Sequence, residues 1–187
     1  MSGLAAILGR LTARLRARWA RYLGNAALVV AVLVGVQLWQ TRHVPPGPAP
    51  DLALTVLERD GRLTATTLSE WRARHPGRPV ALHFWAEWCP ICRTEEAGIT
   101  RLQRDWPVLT VAMQSGDAAA VARVLQRRGL PWDAVIDPAA QVSRAHGMSA
   151  VPGFLVVDRQ GKVRTPTVGY TTEWGMRLRL WWVDITD

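Results

Sequence analysis

The chain has 187 residues, 49% hydrophobic and 20% charged, which is typical of a globular protein with one domain and an appendage. Its net charge is +8, but residues 1–50 contain six arginines and no acidic residue, so the rest of the chain contributes only +2. A nucleic-acid interface needs positive charge on the folded part of a protein, so this distribution argues against a nucleic-acid partner.

The first predicted element is a membrane anchor over residues 22–41, YLGNAALVVAVLVGVQLWQT. It contains twenty residues without a charge, and a membrane-spanning helix needs about 20. Tyr22 and Trp39 stand near its ends, where aromatic rings favour the headgroup level. The arginine-rich segment of residues 1–21 predicts a cytoplasmic N-terminus by the positive-inside rule. A cleaved signal peptide is the rival interpretation, but its apolar region usually has only about 7 to 15 residues.

A proline-rich spacer over residues 42–51 is predicted to hold a domain, residues 52–187, just outside the membrane. With this orientation the domain faces an oxidising compartment, where disulfides persist. Two cysteines are too few for a disulfide scaffold, and a domain of this size can bury a core unaided.

Strands alternate with helices along this domain. Strands are predicted over residues 52–58, 79–86, 108–114, 132–137, 154–158 and 162–169, and helices over residues 67–77, 90–106, 117–129, 137–147 and 171–184. The last helix is predicted to place Trp174, Leu178 and Trp181 on its apolar side. The alternation predicts an α/β fold with a central mixed sheet flanked by helices.

The two cysteines, Cys89 and Cys92, lie where a buried strand meets a helix. Cys89 falls at the helix start, where free N–H groups and the helix dipole stabilise a thiolate, the attacking species. Pro90 is well tolerated at the first helical position. Cys92, one turn later, can attack a mixed disulfide formed at Cys89, so the pair predicts a redox couple.

Other uses of a C-x-x-C pair stay open. Zinc normally takes four ligands, and the chain has no second C-x-x-C and no H-x-x-x-H, so neither a metal site nor a cofactor is predicted. Two thiolates alone can hold Cu(I), with Met113 or Met148 nearby. A purely structural disulfide is less favoured, because so short a loop constrains the unfolded chain least.

The segments FWAEWCPIC and VPGFLVVDRQGKV resemble the active-site segment and the facing loop of the thioredoxin superfamily. With the anchor, the chain is similar to membrane-tethered periplasmic proteins of the TlpA group. VAMQSGD and VGYTTEWGMRLRLWW resemble more narrowly the suppressor-of-copper-sensitivity protein D type. The resemblance, over residues 65–187, implies a thioredoxin fold and a thiol-disulfide oxidoreductase of the bacterial inner membrane.

The resemblance also implies roles for individual residues. Cys89 matches the exposed nucleophile, and Cys92 matches the buried resolving thiol. Trp88 matches the aromatic residue beside the site. Val151 and Pro152 match the substrate-binding loop, whose proline is cis in this family.

Three features depart from the thioredoxin pattern. His83 stands where many thioredoxins have an acid, and it is a candidate to accept or relay the proton of the second cysteine, or else a core histidine. Ala97 replaces the proline of the active-site helix. Pro90 and Ile91 replace Gly-Pro between the cysteines, and such residues alter the relative stability of thiolate and disulfide. The direction of electron flow therefore stays open at the level of the residues.

Three acidic residues lie close in sequence to the C-x-x-C pair. Glu95 and Glu96 are expected to complement the dipole early in the helix, and Glu87 is expected at the surface. Phe84 and Trp85 are expected in the core.

The TlpA-type resemblance implies protein disulfide or thiol substrates and a membrane electron donor of the DsbD kind, so reduction of substrates is expected. The alternatives are a thiol oxidase and a Cu(I)-binding copper-tolerance protein, although copper carriers of the Sco type use C-x-x-x-C. A peroxidase of the peroxiredoxin type would have Thr where this chain has Ala86. A monomer is expected.

Overall fold

The computed structural model describes residues 2–187, with residues 2–18 and 20 described by their backbone alone. It separates into an N-terminal helical unit up to Trp39 and a compact domain, Gln40–Asp187. For most of the basic segment predicted over residues 1–21, the structure describes no side chains.

The N-terminal unit is formed by helix α1 (Ser2–Thr41). Its part from Arg21 to Thr41 is long and apolar enough to cross a membrane, and none of it is buried in the protein. A core helix of a soluble protein would be mostly buried, so this stretch is a candidate membrane span, in agreement with the prediction for residues 22–41.

The domain alternates short helices and strands, as predicted. Its strands are β1 (Ala53–Leu57), β2 (Leu63–Thr67), β3 (Val80–Trp85), β4 (Val108–Met113), β5 (Ala134–Asp137), β6 (Gly153–Val157) and β7 (Val163–Val168). Its helices are α2 (Leu68–Ala73), α3 (Pro90–Leu102), α4 (Ala118–Arg128), α5 (Gln141–Ala145) and α6 (Glu173–Thr186).

The seven strands form one mixed sheet in the order β2-β1-β5-β4-β3-β6-β7. β3, β4 and β5 run parallel at its centre, while β6 and β7 add antiparallel strands on one side and β1 and β2 on the other. All residues of β3 and β4 are buried, which explains their continuous apolar sequences.

Alternation along β3 separates two hydrophobic cores. Ala81 and Trp85 face a cluster that contains both cysteines and the inner sides of α3, α4 and α6. Leu82 and Phe84 face a second cluster on the other side of the sheet. His83 is in phase with Ala81 and Trp85, so it lies on the side of the cysteines.

The structure corrects two sequence predictions. Strand β2 was not predicted, because its sequence LTATT has only one large apolar residue; it is fixed by antiparallel pairing with β1. In α6 the residues buried are Met176, Leu180 and Val183. The three residues predicted on its apolar side are exposed instead: Trp174, Leu178 and Trp181.

Part of the proline-rich segment is fixed to the domain. The Ala49 N–H donates to the Gly161 carbonyl at 2.8 Å, and the Val163 N–H donates to the Gly47 carbonyl at 2.8 Å. Pro48 forms a β-bridge with Lys162 between these two bonds. The chain is therefore attached to the β6–β7 turn from Gly47 onwards.

Candidate active site

The centre of the site is a disulfide between Cys89 and Cys92, at the point where β3 gives way to α3. Cys89 is the N-cap of α3, and its sulfur accepts a hydrogen bond of 3.1 Å from the Cys92 N–H. Pro90 occupies the first helical turn, where a missing N–H costs nothing. The start of α3 therefore directs a backbone donor at the sulfur of Cys89, which favours a thiolate there after reduction.

Both cysteines are buried in this oxidised state. Cys89 is 4% exposed and Cys92 is 2% exposed, so the expected contrast between an exposed and a buried cysteine is absent here. Attack on a substrate therefore requires local access to Cys89 after the disulfide opens.

The loop before β6 lies over the disulfide. The Val151–Pro152 peptide bond is cis, as the family resemblance implies. The Val151 carbonyl oxygen lies 3.8 Å from the sulfur of Cys89. Pro152 is itself anchored, because its carbonyl accepts a hydrogen bond of 2.8 Å from the Gly169 N–H.

Exposed apolar side chains lie beside the disulfide in sequence. Trp88 and Ile91 are more than half exposed, and the indole N–H of Trp88 donates to the Gln114 carbonyl at 3.2 Å. Arg128 fixes the segment just before Cys89, because it donates to the Glu87 carbonyl at 3.0 Å and to the Glu96 carboxylate at 2.7 Å. An ordered segment with apolar groups in solvent is suited to binding an extended peptide.

Glu95, which was expected to complement the dipole early in the helix, is buried. It lies in the second turn of α3, on the same helix face as Cys92, Ile99 and Leu102. Its Oε1 accepts a hydrogen bond of 2.6 Å from the Thr171 N–H. Burial raises the pKa of Glu95 to about 7, and the Thr171 bond offsets only part of that effect. This carboxyl group can therefore gain or lose a proton near neutral pH.

His83 lies close to Glu95 inside the domain. Its Nδ1 is 3.9 Å from Glu95 Oε2, and its ring packs edge-on against Trp132 with centroids 6.0 Å apart. Neither ring nitrogen makes a hydrogen bond of normal geometry to a described residue. Burial lowers the pKa of His83 to about 3, and the backbone of Gly153 opposes this only weakly. Of the two groups, Glu95 is therefore the one that gains or loses a proton near neutral pH.

Sequence reasoning missed Glu95, although a signal was present. Spacings of three, seven and ten residues relate Cys92 to Glu95, Ile99 and Leu102, which is the pattern of one helix face. A charged residue in phase with a buried cysteine and two buried aliphatic residues indicates a buried acid.

The other two acidic residues near the motif form ion pairs with α4. Glu87 pairs with Arg127, and Glu96 pairs with Arg128. Phe84 and Trp85 are buried as expected.

The described residues contain no cluster of three or more His, Cys, Asp or Glu side chains that could hold a metal ion. The two sulfurs, when reduced, are the atoms of the site with affinity for a soft ion such as Cu(I).

Comparison with known proteins identifies the family. The model of the AhpC/TSA family matches residues 46–165. The chain belongs to the AhpC/TSA family. It is 31% identical to the thiol:disulfide interchange protein DsbE of Allochromatium vinosum over 149 residues, which is 76% of this chain and 78% of that protein. It is 29% identical to a thioredoxin-like protein of Haemophilus influenzae over 108 residues, 57% of this chain and 64% of the relative's length.

A solved structure supports the fold. A thiol:disulfide interchange protein of the thioredoxin family from Chlorobium tepidum superposes with a TM-score of 0.57 at 21% identity, covering 75% of this chain and 97% of that one. The domain therefore has the thioredoxin fold, as predicted. The names of these relatives also agree with the predicted class of enzyme, a thioredoxin-like thiol-disulfide oxidoreductase.

Proposed function

We propose that this chain is a membrane-tethered thiol-disulfide oxidoreductase that reduces protein disulfides through the Cys89–Cys92 couple. The observation that carries the proposal is the disulfide at the start of α3, with the Val151 carbonyl oxygen 3.8 Å from the sulfur of Cys89. Interchange proteins among the relatives support the same chemistry.

The reaction proceeds in two exchanges. In the reduced enzyme, the Cys89 thiolate attacks one sulfur of a substrate disulfide and forms a mixed disulfide, while the other substrate sulfur leaves as a thiolate. The Cys92 thiolate then attacks the Cys89 sulfur and releases the second substrate thiol. Two electrons pass to the substrate, and the enzyme is left with the Cys89–Cys92 disulfide.

The resolving step requires that Cys92 lose a proton. Glu95 supports this step better than His83, because a base with a pKa of about 7 is matched to neutral pH and one with a pKa of about 3 is a weak acceptor. In this proposal the ionised form of Glu95, present near its pKa of about 7, accepts the proton of Cys92, and neutral His83 packs 3.9 Å from the carboxyl group. The predicted relay through His83 becomes a positioning role.

The proposed substrate site is the surface beside the disulfide. Trp88 and Ile91 are exposed there, and the Val151–Pro152 loop faces the sulfur of Cys89. An extended substrate segment would contact these apolar side chains and pair with the backbone of the loop. Pro90 and Ile91, between the cysteines, would tune the reduction potential.

The proposed location is the bacterial inner membrane, with a single span, a cytoplasmic N-terminus and the domain in the periplasm. The candidate span of Arg21–Thr41 and the arginine-rich segment before it support this orientation. The resemblance to the TlpA group, and within it to the suppressor-of-copper-sensitivity protein D type, supports re-reduction by a DsbD-type membrane donor, and the chain is proposed to act as a monomer. A role in copper tolerance rests on that resemblance.

The decisive experiment uses the full chain with Cys92→Ala in bacterial membranes. Cys89 should be trapped in mixed disulfides that migrate as larger species without reductant, and mass spectrometry of those species identifies the substrates. The control, Cys89→Ala with Cys92→Ala, should lose every such species. The proposal fails if no covalent partner forms while the reduced domain binds Cu(I) through both cysteines.

The direction of electron flow has its own measurement. Equilibration with glutathione gives the reduction potential of the Cys89–Cys92 couple. A potential well below that of the surrounding compartment supports a reductase, whereas a strongly oxidising value would make the chain a thiol oxidase.

A further inference from the structure

Helix α6 has apolar residues on two opposite sides, and only one side is used by the core. The inner side packs Met176, Leu180 and Val183 into the domain. The outer side carries five residues that are 50% to 81% exposed, here called the outer stripe: Trp174, Leu178, Trp181, Trp182 and Ile185.

The outer stripe is continuous and free of charge. Successive residues of a helix are about 100° apart, so its five members fall within an arc of about 100° along the whole of α6. Two charged residues along one border bond to the domain: Arg177 donates to Asp105 at 2.7 Å, and Asp184 accepts from Arg159 at 2.7 Å. Nothing within the domain covers this surface, and exposed apolar surfaces of this kind mark interaction sites.

The covalent chain limits what can cover it. Residues 42–46 separate the end of the candidate span, Thr41, from Gly47, whose carbonyl is bonded to the β6–β7 turn. Fully extended, that connection reaches about 20 Å. A domain on so short a connection stays beside any membrane in which the span is inserted.

The same turn also holds the end of α6. The Arg159 N–H donates to Asp187 at 2.7 Å, and the Arg159 guanidinium donates to Asp184 at 2.7 Å. The attachment of the proline-rich segment and the last turn of α6 are therefore neighbours within the domain. The C-terminal end of the outer stripe therefore lies near the turn to which Gly47 and Ala49 are bonded.

We infer that the outer stripe of α6 lies on the lipid bilayer, with its tryptophans at the headgroup level. Tryptophan has an apolar ring and a polar N–H, and it is enriched at membrane interfaces for that reason. An apolar helix face binds the boundary between headgroups and acyl chains without crossing it. This inference rests on the proposed membrane anchor.

The docking would fix the orientation of the active site. Just before α6, Thr171 donates to Glu95 and Gly169 donates to the Pro152 carbonyl, so the N-terminal end of α6 lies at the disulfide end of the domain. The helix is about 21 Å long and connects this end with the β6–β7 turn. With α6 flat on the bilayer, the disulfide is held at membrane level, within reach of a membrane-embedded thiol donor.

Photo-crosslinking of the full chain tests the inference. Benzoylphenylalanine is placed at Leu178, 61% exposed, or at the matched control position Leu63 of β2, 56% exposed. The protein is reconstituted into vesicles of phosphatidylethanolamine with phosphatidylglycerol as the minor component. Lipid adducts should form in several-fold excess at position 178, and equal yields at the two positions would overturn the inference.

A charge within the stripe gives a second test. With the probe at position 181, Leu178→Asp should reduce the lipid adduct several-fold, while Leu63→Asp should leave it unchanged. A crosslinked dimer in place of the lipid adduct would make the stripe an interface between copies and refute bilayer docking.

Two readouts keep this inference separate from the proposed function. Alkaline carbonate extraction of the same vesicles reports whether the span is inserted, and Cys92→Ala trapping reports the thiol chemistry. A chain that stays inserted and traps substrates but shows no excess of lipid adduct at position 178 refutes the docking alone.

Discussion

Replacing the buried acid of the active site by its amide, Glu95→Gln, should stabilise the oxidised domain at alkaline pH and change its stability little in mild acid. Burial raises the pKa of Glu95 from 4.5 to about 7. The folded domain therefore keeps a proton that the unfolded chain releases, and the free energy of unfolding falls as the pH rises through this window. Glutamine cannot ionise, and its oxygen can still accept the Thr171 N–H.

The size of the effect follows from the shift. At about 1.36 kcal/mol per pKa unit, ionised Glu95 costs the folded state about 3 kcal/mol at high pH. About 2.5 kcal/mol of this develops between about pH 5 and about pH 8.5. With a slope of about 2 kcal/mol per molar urea, the midpoint of the variant relative to that of the natural protein should rise by about 1 M over the same range.

The assay is urea unfolding of the oxidised domain, Gln40–Asp187, followed by tryptophan fluorescence at both pH values. The matched control is Glu96→Gln, which removes a neighbouring carboxylate that pairs with Arg128 at 2.7 Å. The reasoning is refuted if the gap between Glu95→Gln and the natural protein is the same at both pH values, or if Glu96→Gln shows the same dependence.

Three further predictions concern a core tryptophan, a helix cap and the buried histidine. Trp132→Ala should lower the free energy of unfolding in urea by about 3 to 5 kcal/mol, because Trp132 is buried against Trp85. The control Trp174→Ala changes an exposed residue and should cost less than about 0.5 kcal/mol. Similar losses for the two variants would contradict the assigned core. Asp117→Ala removes the N-cap of α4 and should lower stability by about 1 kcal/mol, which Asp117→Asn should largely restore. Burial lowers the pKa of His83 from 6.5 to about 3, so the natural protein loses stability as the pH falls through this window. The stability of His83→Asn relative to the natural protein should therefore rise by about 2 to 3 kcal/mol between about pH 7 and about pH 4.5. A difference that stays constant with pH would refute a neutral buried imidazole.

Features with a strong local signature were predictable from the sequence. The candidate span is marked by twenty uncharged residues, 22–41, and buried β3 by a continuous apolar run. The position of Cys89 at the start of α3 follows from the transition between that strand and a helix that opens with Pro90. Each of these depends on residues that are neighbours in the chain, so the pattern alone is sufficient.

Features that depend on packing were not predictable in the same way. The sequence gives α6 two apolar sides, and only the neighbouring elements decide that Met176 is buried while Trp174 faces outwards. Strand β2 forms because β1 offers an edge for pairing, not because LTATT is strongly apolar.

The chemistry of the site also depends partly on local sequence and partly on packing. Residue type and spacing placed Cys89 and Cys92 one turn apart at a helix start. Only the tertiary structure brought His83 of β3 to 3.9 Å from Glu95 of α3 and enclosed both. A pKa depends on solvent exclusion and on groups distant in the chain, so the raised pKa of Glu95 is a property of the fold rather than of the motif.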